Sequence, residues 1–255
     1  MDCILSIITI NLNNAGGLER TLRSIASQQS PQVECVVIDG GSTDSSLKVA
    51  ADHRQVVTTL VSEPDGGIYA AMNKGWQRAT GKYCLFLNAG DELYAADVLS
   101  SLIHRLMTSD ADYLYGDLNT VDTNGRSSMQ EFNEPVSLNY LFRWFVPHPA
   151  SCIKRSLLQQ LNGYAEQYRI ISDWIFSVQA FCQGARFEHV PLCIANFYLD
   201  GISSTQQELA SREKERVFGD ELAWLKHDWE WYHRVRPLEL SRPVRWLHRI
   251  IAAFK

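Results

Sequence analysis

The run Cys3–Ile10 restricts the fold more than any other stretch, because it is apolar and β-branched without a regular polar alternation. A strand with one face in water alternates apolar and polar side chains, so a continuous run indicates a strand covered on both faces. Three further predicted strands follow, with room for a helix between successive strands: Val33–Ile38, Val56–Ser62 and Tyr83–Leu87. This order predicts an α/β fold with right-handed crossovers and a mostly parallel sheet.

The segments between these strands have helical spacing. Leu18, Leu22 and Ile25 recur at intervals of three and four residues, and Ile68–Thr80 is followed by Gly81, a residue typical of helix ends. With 255 residues, 45% of them hydrophobic, the chain can bury the core of one large domain. We predict a single Rossmann-like domain over residues 1–205. Residues 206–255 are charged and aromatic with helical spacing, which predicts a C-terminal helical extension.

Charge is distributed unevenly along the chain. The net charge is -5, but residues 232–255 hold five Arg and one Lys against one Glu, so the preceding residues carry about -10. An acidic body argues against nucleic acid as a partner. The sequence has no run of about 18 apolar residues and no signal-peptide pattern at its N-terminus, so we predict a cytoplasmic protein. The six cysteines form no C-x-x-C pair, which favours reduced thiols over a zinc site.

Three polar, turn-rich loops follow the predicted strands: Asn11–Gly17, Asp39–Asp44 and Asn88–Asp91. The carboxyl ends of parallel strands meet at one edge of the sheet, where open α/β proteins bind ligands. We therefore predict a nucleotide site at this edge and assign Thr9, Asn11 and Asn88 to it. Asp and Gly are also ordinary turn formers after strands, so each loop alone has a purely structural explanation. Asp44 is better explained as the start of a helix than as a ligand.

Carboxylates in and near these loops suit the parts of a nucleotide. Asp91 can hold a hard divalent cation, Mn²⁺ or Mg²⁺, because such ions prefer oxygen ligands and bridge phosphates. Asp39, at the end of the second strand, can accept a hydrogen bond from a base N–H or a ribose hydroxyl. Asp65 precedes two glycines that let the backbone approach a ligand closely.

Several short motifs occur together in a characteristic order. In the first hundred residues these are Asp39–Asp44, Ser62–Tyr69, Met72–Gly75, Ala79–Gly81 and Leu85–Asp91. Further along the chain come Pro147–His148, Leu161–Tyr164, Ser172–Trp174 and Asp200–Ser203. In order and spacing this set resembles the family-2 inverting glycosyltransferases, over about 200 residues.

The resemblance implies the A-type nucleotide-sugar fold, a divalent cation and inversion of the sugar by direct displacement. By motif, Asp39 and Asp65 would contact the nucleoside, Asp91 would bind the metal and Asp173 would be the general base. A base has to lie across the sugar from the leaving phosphate, which suits a residue from a later segment; helix capping is the alternative for Asp173. Trp174 beside it offers an apolar wall for a sugar.

The sequence departs from the family pattern in two places. The metal motif commonly has two acidic residues around one intervening position, whereas Asn88–Asp91 keeps only the final carboxylate, which predicts weaker metal binding. Ala70 stands where an Asp is frequent in the family, so that carboxylate has no role here.

Other residues have a functional and a structural interpretation of similar weight. Lys74 either reaches a phosphate or solvates a helix face. His148, between two prolines, is either aimed at an acceptor or a phosphate, or is structural. Asp200 and Ser203 follow the predicted strand Phe187–Tyr198 and would close over the diphosphate, or simply form a turn.

Residues 242–255 alternate basic side chains with Trp, Leu, Ile and Phe at helical spacing. This pattern is typical of a helix lying on an anionic membrane surface, and equally of a helix packed against the body or a partner chain. On the first interpretation the protein is peripheral at the inner face of the cell membrane, and a lipid-linked acceptor becomes natural.

We therefore predict an inverting glycosyltransferase that moves a sugar from a nucleoside diphosphate sugar, UDP-linked, to a hydroxyl of a glycan or lipid-linked glycan in bacterial surface polysaccharide synthesis. One alternative is a nucleotidyltransferase that makes the sugar nucleotide, but Asn11–Gly17 lacks the basic residue expected in its phosphate loop. The other is a noncatalytic scaffold that binds nucleotide sugar or membrane, which Asn88 in the metal motif would suit.

Overall fold

The structure, a computed structural model, describes residues 2–28, 30–201 and 205–239. It forms two compact units, Met1–Ala210 and Ser211–Lys255. The first unit begins with strands and helices in alternation, as the sequence predicts: β1 (Leu5–Asn11), α1 (Ala15–Ala26), β2 (Val33–Asp39), α2 (Ser46–Asp52), β3 (Val57–Ser62), α3 (Ile68–Arg78) and β4 (Tyr83–Phe86).

The rest of the first unit adds shorter elements to the same sheet. They are β5 (Glu92–Leu93), α4 (Val98–Thr108), β6 (Tyr113–Val121), β7 (Ser127–Gln130), α5 (Leu138–Arg143), a 3-10 turn (His148–Ala150), β8 (Ser151–Lys154), α6 (Arg155–Gln160), α7 (Ser172–Cys182) and β9 (Phe187–Tyr198). The strand order is β3-β2-β1-β4-β8-β6-β9-β5, and β7 pairs with β6.

The parallel arrangement holds for the first half of the sheet and is mixed in the second. Strands β1 to β4 run parallel to one another, and β6 runs parallel to β9. Strand β8 runs antiparallel to both β4 and β6, while β5 and β7 pair antiparallel with β9 and β6. The two unpredicted strands, β5 and β8, have two and four residues, too few to show a periodic pattern.

Strand β1 is buried from both sides, as its composition predicts. Leu5, Ile7 and Ile8 have no exposed surface, and Leu22 of α1 is equally buried. On α3, Gly75 allows a close approach to β1, because a Cβ atom at this position would lie 2.4 Å from Cγ2 of Ile8. The register places the last residues of β1, β2 and β3 side by side, with Asn11 opposite Asp39 and Asp39 opposite Ser62. The three strands therefore end together at one edge.

The C-terminal part is helical, as predicted. Helix α8 spans Gln207–Val217, a 3-10 turn spans Ala223–Leu225, and α9 spans Lys226–Glu239. Within the second unit, the rings of Phe218 and Trp229 stack with centroids 4.7 Å apart. None of the helices in the described ranges is long and apolar enough to cross a membrane. The basic and aromatic stretch 242–255 and Ser203 lie outside the described residues.

Candidate active site

The first cluster of site residues lies where β1, β2 and β3 end. Nδ2 of Asn11 donates to Oδ1 of Asp39 at 2.9 Å and to Oγ of Ser42 at 3.2 Å. Asp39, only 1% exposed, also accepts hydrogen bonds from the backbone N–H groups of Gly41 and Ser42 and from the hydroxyls of Ser42 and Ser62. A carboxylate has about four lone-pair sites, so the protein itself saturates this one.

These hydrogen bonds set the ionisation of Asp39. Burial alone would raise the pKa of its carboxyl, but the hydrogen bonds from Ser42, Asn11 and Ser62 outweigh it and hold the pKa below the ordinary value. Asp39 therefore remains charged and fixes Asn11 and Ser42 in place.

Asp65 faces the same cluster from the loop after β3. Its Oδ1 accepts the N–H of Gly67 at 2.9 Å, and its Oδ2 lies 2.8 Å from the position that a Cβ on Gly40 would occupy. With a larger residue at position 40 this carboxylate would have to shift. The side chain of Leu12, 59% exposed, borders the same point. Asp65 thus lies beside Gly40, the residue that follows Asp39.

The loop after β1 joins this cluster to the loop after β4. Nδ2 of Asn14 donates to the carbonyl of Ala89 at 3.1 Å, and its Oδ1 caps α1 by accepting the N–H of Gly17. Asp44 accepts N–H groups at the starts of two helices, from Ala15 and from Ser46. This is the helix-start role predicted for Asp44.

Asp91 is a buried carboxylate with little compensation from the protein. It is 6% exposed, and its Oδ1 accepts a hydrogen bond from the backbone N–H of Tyr198, at the end of β9, at 3.3 Å. Burial raises the pKa of Asp91 to about 7; the Tyr198 N–H and Arg20 oppose this rise, and the charges of Asp200 and Glu92 add to it. A positive charge that binds beside such a buried carboxylate stabilises its ionised form.

Helix α1 holds the loop that contains Asp91. Oγ1 of Thr21 lies 2.6 Å from the carbonyl oxygen of Asp91, to which it can donate, and accepts the N–H of Gly90 at 3.0 Å. Gly90 has a φ of 118°, a conformation that L side chains rarely adopt. The carboxylate is therefore presented by a fixed turn.

The oxygen atoms around Asp91 suit a hard divalent cation. Three residues before Asp91, Oδ1 of Asn88 is buried and has no hydrogen-bond partner among the described residues, which makes it the candidate for a second oxygen ligand. The described part of the chain contains no group of three His, Cys, Asp or Glu side chains that could enclose a metal ion. A cation at Asp91 would therefore take most of its ligands from phosphate and water, as Mg²⁺ commonly does.

Two predicted nucleotide contacts are placed differently from expectation. Thr9 is fully buried inside β1, so it lies beneath the sheet edge rather than on it, and its Oγ1 has no partner in the described structure. Lys74 forms an ion pair with Glu63 at 2.8 Å, because α3 faces the end of β3 at that point. Its charge is therefore paired within the protein, and its contact with a phosphate stays a prediction.

Asp173 lies in the first turn of α7 and faces α3. The hydroxyl of Tyr69 lies 2.9 Å from Oδ1 of Asp173 and 2.6 Å from the carbonyl oxygen of Ile170, and can donate to either. Trp174 is buried and its Nε1 donates to the carbonyl of Leu141, so it packs inside the protein and provides no wall for a sugar. Asp173 itself is partly exposed.

His148 is a buried link between the two halves of the site. Its Nε2 is hydrogen bonded to the hydroxyl of Tyr164 at 2.8 Å, and its ring stacks on Phe86, the last residue of β4, at 5.1 Å. Burial lowers the pKa of His148, and the nearby Asp173 opposes this only in part. His148 is therefore a neutral side chain behind Asp173, which favours the structural interpretation.

A second link connects α3 with the loop that precedes α7. Asn73 accepts the N–H of Tyr164 and donates to its carbonyl, both at 2.8 Å. Gly163 has a φ of 71°, and a Cβ there would lie 2.3 Å from Oδ1 of Asn73. The motifs Met72–Gly75 and Leu161–Tyr164 therefore interlock, which explains why the sequence contains both.

Sequence reasoning missed three residues that shape the site: Arg20, Thr21 and Tyr198. The first two lie on α1, one turn beyond the loop that follows β1, and face the loop of Asp91. The sequence pattern of a basic residue and a hydroxyl, one helical turn after the loop that follows a strand, could have indicated that both lie near the site. Tyr198 is 107 residues from Asp91 along the chain, so no local sequence pattern could predict their contact.

The sheet, with polar loops gathered at the carboxyl ends of its strands, is typical of α/β proteins that bind ligands at that edge. The model of the family "Glycosyl transferase family 2" matches residues 6–182. The chain belongs to this family. The predicted family is thus confirmed.

Similar proteins are also named glycosyltransferases. A "PGL/p-HBAD biosynthesis glycosyltransferase" of Mycobacterium bovis (strain BCG / Pasteur 1173P2) is 34% identical over 210 residues, which are 79% of this chain and 80% of the relative. An uncharacterized glycosyltransferase of Mycobacterium tuberculosis (strain ATCC 25618 / H37Rv) is 30% identical over 226 residues, 85% of this chain and 80% of the relative.

Solved structures show the same fold. Residues 1–349 of S. aureus TarS in complex with UDP-GlcNAc match with a TM-score of 0.66 and 21% identity, over 80% of this chain and 61% of that one. This chain thus spans less than two thirds of that TarS fragment. The mannosyltransferase PcManGT from Pyrobaculum calidifontis in complex with GDP-Man and Mn²⁺ matches with a TM-score of 0.63 and 17% identity, over 100% of this chain and 81% of that one. The predicted α/β, A-type fold with a C-terminal helical part is confirmed.

Proposed function

We propose that this family-2 glycosyltransferase moves a sugar, with inversion, from a UDP-sugar to a hydroxyl of a glycan or lipid-linked glycan. The observation that carries the proposal is the state of Asp91. It is a buried carboxylate, at the ligand-binding edge of the sheet, reached by a single hydrogen-bond donor among the described residues. Such a group is costly to bury unless a positive charge joins it, and a cation bound to a diphosphate provides that charge.

The nucleoside is assigned to the cluster at the ends of β1, β2 and β3. Asp39 is saturated by the protein, so its role is to orient Asn11 and Ser42. Oδ1 of Asn11 has no partner among the described residues and is the acceptor available for the N–H of a uracil ring. We assign Asp65, whose carboxylate faces Gly40, to a ribose hydroxyl.

The transfer needs a base and a stabilised leaving group. Asp173 accepts the proton of the acceptor hydroxyl as the hydroxyl oxygen attacks the anomeric carbon. The bond from that carbon to the diphosphate oxygen breaks, its electron pair stays on the phosphate, and the configuration inverts. Asp91 and Asn88 would hold Mn²⁺ or Mg²⁺, whose positive charge stabilises the departing diphosphate. Tyr69 orients Asp173, and the buried His148 and Tyr164 fix the turn behind it.

The nucleotide assignment is tested by thermal unfolding with a panel of UDP- and GDP-sugars, each with Mn²⁺, Mg²⁺ or chelator. We expect UDP-sugars with a divalent cation to raise the unfolding temperature most. Asn11→Ala should weaken UDP binding about tenfold with and without the cation, because its contact is to the base. Asn124→Ala, at an exposed turn, is the matched control and should bind as the wild type does. If no nucleotide sugar in the panel changes the unfolding temperature, the assignment of a nucleotide site is wrong.

We further propose that the enzyme works in the cytoplasm, at the inner face of the membrane, and that residues 242–255 contact anionic lipid. Five of these residues are basic side chains, counting His248, interleaved with Trp246, Leu247 and Phe254.

Removal of residues 242–255 should abolish sedimentation with phosphatidylglycerol vesicles while UDP binding stays unchanged. Neutral phosphatidylcholine vesicles are the control, since the attraction depends on lipid charge. Equal pelleting of the full chain and the shortened chain would refute the membrane contact.

A further inference from the structure

Arg20 lies on α1 beside the loop that carries Asp91. Its guanidinium carbon is 3.9 Å from the centre of the Tyr198 ring, at the end of β9. Its Nη2 is 3.7 Å from the position that a Cβ on Gly90 would occupy. The neighbouring Thr21 is hydrogen bonded to the same loop, so the position of Arg20 relative to Asp91 is fixed on one side by α1 and on the other by an aromatic ring.

The hydrogen-bonding capacity of Arg20 is not used up by the protein. Its Nε is buried and has no acceptor in the part of the chain that the structure describes. Across the same ranges it forms no ion pair with a carboxylate, whereas Arg23, one turn along the helix, pairs with Glu19 at 2.9 Å. A planar cation with an unmatched Nε–H donor, held at a ligand-binding edge, suits an anion with several oxygen atoms.

The charge of the loop points the same way. Over residues 88–91 the loop has one carboxylate, Asp91, and the neutral Asn88. One carboxylate attracts a cation less strongly than two would. A fixed positive charge nearby then compensates more of the negative charge of a diphosphate. Guanidinium groups bind phosphate oxygens through paired N–H donors, which adds orientation as well as charge.

We propose that Arg20 binds the β-phosphate of the donor and stabilises the departing diphosphate, alongside the cation at Asp91. This inference rests on the proposed function. When the bond between the sugar and the diphosphate oxygen breaks, the electron pair remains on that oxygen, and the N–H donors of Arg20 stabilise its charge without giving up a proton. The guanidinium lies over the ring of Tyr198, and this cation–π contact restricts its position.

Calorimetric titration with UDP, UMP and uridine, in chelator and in Mn²⁺, tests the assignment. Arg20→Gln should weaken UDP binding in chelator by about 10- to 100-fold, the usual range for a charge-assisted contact, and leave uridine binding unchanged. Arg20→Lys should recover part of the loss, because it restores charge without the paired donors. Arg23→Gln removes an exposed arginine of the same helix and should match the wild type.

The outcomes separate the two levels of the proposal. UDP binding by Arg20→Gln equal to that of the wild type would overturn the role of Arg20. An equal loss for uridine and UDP would also overturn it, because it would show that Arg20 only supports the fold of the site. Failure of the wild type to bind UDP, both in chelator and in Mn²⁺, would instead remove the proposed function.

Discussion

Asp173→Asn should lower the rate of sugar transfer by about 10²- to 10⁴-fold, the contribution of a positioned general base, and leave UDP affinity within about twofold. The asparagine keeps a carbonyl oxygen that can accept the hydroxyl hydrogen bond of Tyr69, so the turn at the start of α7 is preserved. What is lost is the ability to take the proton of the acceptor. Initial-rate assays with saturating donor, together with UDP titrations, measure the two quantities separately.

The control for this variant is Asp97→Asn, which removes an exposed carboxylate that makes no capping hydrogen bond in α4. It should transfer sugar at the wild-type rate. Normal turnover by Asp173→Asn would exclude this residue as the base. A parallel loss of UDP binding would show that Asp173 supports the donor site instead.

Asp91→Asn should abolish the increase in UDP affinity that Mn²⁺ or Mg²⁺ produces, and leave UDP binding in chelator close to that of the wild type. A neutral amide binds hard cations far less well than a carboxylate does. Titrations of UDP with and without the cation give the increment directly. An increment of wild-type size in this variant would place the cation elsewhere.

The same variant should make the protein more stable at alkaline pH. The pKa of Asp91 is raised to about 7 in the folded chain, above the ordinary value near 4 in an unfolded chain, so its contribution to stability is lost as the pH rises through this window. Above pH 7 the buried charge costs roughly 4 kcal/mol at most, and less after local relaxation. Asn carries no such cost and retains an oxygen for the Tyr198 N–H.

Urea unfolding in chelator at pH 5 and pH 8 measures this effect. The gain in unfolding free energy of Asp91→Asn over the wild type should be larger at pH 8 than at pH 5. Asp97→Asn should show no such difference between the two pH values. A gain that does not change with pH would mean that the charge of Asp91 is compensated in the folded protein.

The first half of the sheet was predictable because each of its strands has a local signature. Cys3–Ile10 is apolar enough to require cover on both faces, and the loops after β1, β2 and β4 carry polar residues where the strands end. Strands β5 and β8 were missed, since a strand of two to four residues is defined by its partners rather than by its own sequence.

The sequence indicated which loops meet at the edge of the sheet, but not how their side chains are bonded to one another. Nothing local shows that Asp39 is saturated by Asn11, Ser42 and Ser62, because these contacts join three loops. The burial of Asp91 depends on β9, which lies a hundred residues later in the chain. The ion pair of Lys74 with Glu63 likewise exists only once α3 and β3 are packed.

The contact between Tyr198 and Asp91 also determines how far this chain can be shortened without losing part of the site. The family match ends at residue 182, yet β9 spans Phe187–Tyr198, pairs with β6 and β5, and provides the backbone donor for Asp91. A fragment trimmed to the family limits would keep nearly every motif residue and lose the strand that seats the carboxylate. The smallest independently working piece of this chain therefore extends at least through Tyr198.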